Sequence, residues 1–172
     1  RELNVADRVE LKKILVVDDA PGTVEVLRRN LTAKGYSVLT AGSVSEALAT
    51  LERLPVDLVI TDFKMPCATG LELVRHVRSA LGDTEVIMIT GYATVGGAVQ
   101  AVKTGAEEYL AKPFTDDELF GAVERAMAKL ERRRLMRAPV DDAGMAAYGL
   151  IGNSDVMRSV YDAISKAART TA

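Results

Sequence analysis

Cys67 is the single cysteine among 172 residues, so no intramolecular disulfide framework holds this chain, and it fits a reducing compartment. Long apolar runs are missing as well. None approaches the ~18 residues of a membrane-spanning helix, and no signal-peptide apolar stretch stands at the N-terminus. Positive charge is not in surplus: Lys plus Arg is 22 against 24 for Asp plus Glu, a net charge of −2. That balance argues against a bulk nucleic-acid binder, which would need a strongly basic face. The chain contains no G-x-x-x-x-G-K-[ST] phosphate loop, so these residues cannot hydrolyse ATP by that route. A helix-turn-helix is equally absent. The first residue is Arg1 rather than Met, as expected for a piece of a longer protein. The expectation is a cytoplasmic protein with no membrane contact.

What is present suffices for a core. Apolar residues make up 48% and charged residues 27% of the chain, room for one domain of about 150 residues and a remnant. Short apolar runs alternate with amphipathic stretches, the pattern of a parallel sheet covered by helices. The runs are Ile14 to Val17, Tyr36 to Thr40, Leu58 to Ile60, Val86 to Ile89 and Tyr109 to Ala111. All but the second and the short fifth are continuously apolar, as strands buried on both faces must be. The second alternates, as an edge strand would.

The helical stretches have readable ends. Pro21 opens the first and Gly35 stops it. Ser43 with Glu46, and Thr115 with Glu118, stand at capping-box spacing before the second and fifth, and Phe114 can staple onto Leu119. Val95, Ala98, Val99 and Val102 are expected to form the apolar stripe of the fourth, between a Thr94 cap and Gly105. Five strands and five helices in alternation predict a doubly wound α/β domain over residues 12–125. A helical linker and loop follow over 126–148, with Pro139 halting the helix, and then an amphipathic segment over 149–172. Arg132 to Arg134 read as a solvated helix end, and Leu119, Val123, Ala126 and Leu130 as core with a possible short coiled-coil seam.

Ligands of an open parallel sheet bind at the carboxyl ends of its strands, beside the point where strand order reverses. Strand one runs into Asp18-Asp19, strand three into Asp62, strand four into Thr90 and strand five into Lys112. Strand two ends in nothing reactive. With the flavodoxin-like order 2-1-3-4-5, all of these residues fall in one cleft. Three carboxylates there would repel one another. A Mg²⁺ ion resolves that, because it takes carboxylate oxygens and leaves positions for a phosphate. Lys112 and Thr90 supply a charge and a hydroxyl for phosphate oxygens, and an Asp carboxylate is a competent phosphoryl acceptor.

Asp18-Asp19, Asp62 followed by Met65-Pro66 and Gly70, Thr90-Gly91, and Lys112-Pro113-Phe114 closely resemble the response-regulator receiver domain of two-component signalling. The resemblance implies that Asp62 accepts a phosphoryl group from a sensor histidine kinase. It implies that Asp18, Asp19, Asp62 and the backbone carbonyl of Lys64 hold Mg²⁺. Thr90 and Tyr109 become a switch pair, and the Lys112-Pro113 bond is expected to be cis. A homodimer through the fourth helix, fifth strand, fifth helix and linker helix follows from the same resemblance. Gly149 to Ser154 with Met157 resembles the opening of the AAA+ domain of NtrC-type, sigma-54-dependent activators. For the longer protein it implies sigma-54 RNA polymerase, ATP and DNA as partners.

Rival chemistries fit less well. A haloacid-dehalogenase-type phosphohydrolase needs a second Asp two residues after the first, where Lys64 follows Asp62 and Ala20 follows Asp18. An FMN-binding flavodoxin needs a hydroxyl- and glycine-rich loop after strand one, where Asp18-Asp19 would repel a phosphate.

Overall fold

The computed structural model describes residues 10–137. The linker from Pro139 and the segment 149–172, with its AAA+ resemblance, lie outside the described residues. Five strands form one parallel sheet: β1 (Lys13–Val17), β2 (Ser37–Ala41), β3 (Leu58–Asp62), β4 (Glu85–Thr90) and β5 (Glu108–Ala111). Their order is β2-β1-β3-β4-β5, as the strand-end argument requires. The helices are α1 (Pro21–Ala33), α2 (Val44–Arg53), α3 (Gly70–Ala80), α4 (Val95–Thr104) and α5 (Asp116–Arg137). A two-residue antiparallel ladder, Lys64–Met65 with Ala68–Thr69, follows β3. None of the described helices is long and apolar enough to cross a membrane.

Continuous apolar strands are explained by cover on both faces. Successive side chains of a strand point to opposite sides. Leu15, Val17, Val59, Val86 and Met88 accordingly enter one core with α2 and α3. Ile14, Val16, Leu58, Ile60, Ile87 and Ile89 enter the other with α1 and α5. Helix ends form as their residues dictate. Glu46 N–H donates to Ser43 Oγ and Gly97 N–H to Thr94 Oγ1. Thr115 and Glu118 cap each other reciprocally, backbone to side chain in both directions.

Burial decides what two apolar faces are for. The α4 stripe does not face the core: Val95, Val99 and Val102 are 83%, 46% and 58% exposed, and Ala101 alone in that helix is buried. Apolar spacing defines a face, but cannot say whether the parent domain covers it. Conversely, Leu119, Val123, Ala126 and Leu130 are wholly buried within the domain, so they are core and cannot also line a seam between copies. α5 runs without a break over 22 residues. Arg133 and Arg134, read as a solvated end, instead pair with Glu85 and Asp57.

Candidate functional site

Strand register brings the carboxyl ends together. Val17 lies opposite Thr61, Asp62 opposite Ile89, and Thr90 opposite Ala111, so Asp18, Asp62, Thr90 and Lys112 emerge along one rim. Asp18 and Asp62 are both buried, at 4% and 8% exposure. The Lys112 ammonium sits between them, donating to Asp18 Oδ2 at 2.9 Å and to Asp62 Oδ1 at 3.0 Å. The second oxygen of each is held by backbone, Asp18 Oδ1 by Ala20 N–H at 2.8 Å and Asp62 Oδ2 by Lys64 N–H at 3.1 Å. Partial burial works against the charge on Lys112. The hydrogen bonds it donates to Asp18 and Asp62 outweigh it and hold the ammonium above its ordinary pKa.

Two carboxylates against one ammonium leave this pocket with a net negative charge. A hard divalent ion that keeps much of its water needs only one or two carboxylates, and Asp18 and Asp62 fit that requirement. Asp19 stands apart from their hydrogen-bonded set. It is exposed, and with Asp18, Glu25, Arg28 and Glu46 it lines a hollow of about 320 Å³ beside α1. Among the described residues, no three acidic, histidine or cysteine side chains converge closely enough to encircle a metal.

The remaining predicted residues take distinct places. Thr90 is buried beside this pair, and its hydroxyl oxygen accepts from Tyr92 N–H at 3.1 Å. Tyr109 leans against α4, its hydroxyl buried and without a hydrogen-bond partner among the described residues. A Cβ on Gly97 would come within 3.0 Å of that hydroxyl, so the bare backbone there makes room for the ring. At the start of α3, a Cβ on Gly70 would overlap the Asp62 carbonyl oxygen. Only glycine lets α3 start so close beneath Asp62. The Lys112–Pro113 bond is cis, as the resemblance implies.

As a site residue Lys64 is expected through its backbone carbonyl, and no site role is expected of Tyr92 or Gly97. The structure sets the Lys64 ammonium 4.1 Å from the centre of the exposed Tyr92 ring, a contact between the short ladder and the loop after β4 that no local pattern encodes. Cys67 is exposed at the turn of the short ladder with a left-handed φ of 69°.

A family model described as the response regulator receiver domain matches residues 14–124. The response regulator protein PilR of Pseudomonas aeruginosa is 36% identical over 161 residues, spanning 94% of this chain and 35% of that protein. The chain thus spans about a third of the length of the first curated relatives it matches. Among solved structures, the beryllofluoride-activated NtrC4 receiver domain dimer matches with a TM-score of 0.67 at 32% identity, over 70% of this chain and 99% of that one. The response regulator TrrA of Thermotoga maritima, in complex with Mg²⁺ and BeF, matches with a TM-score of 0.62 at 36% identity, over 67% and 99%.

Proposed function

The chain belongs to the response regulator receiver family, and from that membership we propose that Asp62 is its phosphoryl acceptor, charged by a sensor histidine kinase. A carboxylate oxygen of Asp62 attacks the phosphorus of a phosphohistidine. The P–N bond breaks, its electron pair stays on the imidazole nitrogen, and an acyl phosphate remains on Asp62. No proton has to leave the nucleophile, so no general base is required. Lys112, already within hydrogen-bond reach of Asp62, offsets the added negative charge. The Thr90 hydroxyl, one strand away, is the donor for a phosphoryl oxygen once it leaves Tyr92. Asp18, Asp62 and the Lys64 carbonyl, with Asp19 beside them, would hold Mg²⁺, which would supply positive charge to offset that of the phosphoryl group.

The observation that carries this reading is the shared ammonium: two buried carboxylates converge on Lys112 with one negative charge left over. Acetyl phosphate or a phosphoramidate with Mg²⁺ should add one phosphate, read by intact mass, and Asp62→Asn should abolish it. Undiminished labelling of Asp62→Asn overturns the assignment.

Phosphorylation on this reading biases a two-state equilibrium of α4, β5 and α5, with Thr90 and Tyr109 as the switch pair. Tyr92, Val95, Val99 and Val102 give that face its exposed apolar surface, and it is where a second copy docks. The likeness to a receiver domain dimer supports this. In the longer protein the switch governs a sigma-54-dependent activator, with ATP, DNA and sigma-54 RNA polymerase as its partners, and it acts as a phosphoacceptor rather than a turnover enzyme. Oligomeric state with and without beryllofluoride, by light scattering, tests the dimer.

A further inference from the structure

The opposite rim of the sheet, where the strands begin, holds a second buried charge cluster. Glu85, the first residue of β4, is 1% exposed. Its Oε2 accepts from Arg78 Nη2 of α3 at 2.5 Å, and its Oε1 accepts from Arg133 Nη2 of α5. Each guanidinium is tied further. Arg78 Nε donates to the carbonyl of Gly105, the C-cap of α4, at 2.6 Å, and Nη1 to the Thr84 carbonyl at 3.3 Å. Arg133 Nη1 donates to the Gly82 carbonyl at 2.8 Å. Next to it, Arg134 reaches Asp57 at 2.8 Å and the Asp83 carbonyl at 3.2 Å.

We propose that Glu85 is a coupling residue, joining the C-cap of α4 to the final turns of α5 so that neither moves without the other. A carboxylate this buried is tolerated only while it is paired, and losing one partner leaves charge uncompensated in a medium of low dielectric. The two arginines therefore do not act independently. The stem of Arg78 packs so close to Gly105 that a Cβ there would lie 2.6 Å from Arg78 Cγ, so displacing the end of α4 displaces Arg78. That displacement loosens Glu85 and, through it, Arg133. β4 carries Glu85 at one end and Thr90 at the other, a direct route between the two rims. The coupling rests on the receiver reading only for its direction: a change at Asp62 is felt at the part of α5 that leads out of the domain.

Hydrogen exchange on the full chain tests this without any ligand. Arg133→Gln should speed exchange of the Gly105 and Ala106 amides by about tenfold, and Arg78→Gln should do the same for Leu130 to Met136. The Val16 amide in β1 should change far less, and Arg133→Lys should restore part of the protection. Acceleration confined to the helix that was changed overturns the coupling, and so does acceleration that reaches Val16 equally, because that reports global opening. A second arm adds Mg²⁺ and beryllofluoride. Arg78→Gln should keep the exchange response around Asp62 while losing it beyond Leu130. Absence of any response around Asp62 overturns its assignment as phosphoryl acceptor, whereas the ligand-free arm judges the coupling by itself.

Discussion

The two rims of the sheet carry the same kind of group in opposite states of balance. Where the strands end, two buried carboxylates, Asp18 and Asp62, share one ammonium. Where they begin, one buried carboxylate, Glu85, is held by two guanidinium groups. The first arrangement is short of positive charge, and the second is saturated. Both are expensive to bury, but on the proposed reading only the deficient one would take up an incoming cation and phosphate. The saturated rim fixes helices in place, using arginine, which keeps its charge at any pH and makes several bonds at once. Buried charge alone does not identify a site. The sign of the imbalance does.

Removing Arg78 from one rim and the Asp62 charge from the other should therefore move stability in opposite directions. Arg78→Ala leaves Glu85 with one partner and should lower stability by about 3 kcal/mol in urea unfolding. A loss below about 1 kcal/mol would mean the lower rim is far less dry than its burial implies. Gly70→Ala forces α3 away from the Asp62 carbonyl and should cost about 2 kcal/mol. It should also slow labelling of Asp62 by a small phosphodonor, separating packing at the acceptor from packing elsewhere. Asp62→Asn removes one of two competing carboxylates and should raise stability by about 1 kcal/mol while abolishing labelling. A fall in stability would show that Lys112 already balances the pair.

Titration sharpens the contrast. Because the folded-state pKa of Lys112 is raised, its contribution is complete below the ordinary lysine value of about 10.4 and fades as pH rises through the raised value. The stability difference between native protein and Lys112→Ala should shrink over that alkaline range. The difference for Arg78→Ala should not, since arginine stays protonated there. At the exposed face, Val99→Asp should move monomer stability by less than about 0.5 kcal/mol. It should nonetheless weaken any dimer seen with beryllofluoride in light scattering.

The upper rim was legible because strand ends are marked in the sequence: an apolar run stops and a polar residue stands next. Sheet order then places Asp18, Asp62, Thr90 and Lys112 in register, and most caps are written in adjacent residues. The lower rim was not legible, because Arg78, Glu85 and Arg133 meet only through tertiary packing. Glu85 even begins a strand whose other residues are mostly apolar. Valines in α4 and leucines in α5 carry similar periodicity, yet the first group is exposed and the second buried. Periodicity reports that a face exists, and which neighbour covers it is decided by topology. Why Asp19 stands outside the Lys112 set is a matter of which way a loop side chain turns, and residue type does not encode that.

A buried polar atom without a partner is uncomfortable where it sits, and among the described residues the oxygen at the tip of Tyr109 is such an atom. Shape alone retains it, in a notch one missing methyl group deep. An aromatic lever restrained by fit rather than by a bond can be released by a small shift of the first turn of α4, without first breaking a strong interaction. On the proposed reading a turn of Thr90 thus meets little resistance from Tyr109, and a single added carbon at position 97 should be enough to close the notch.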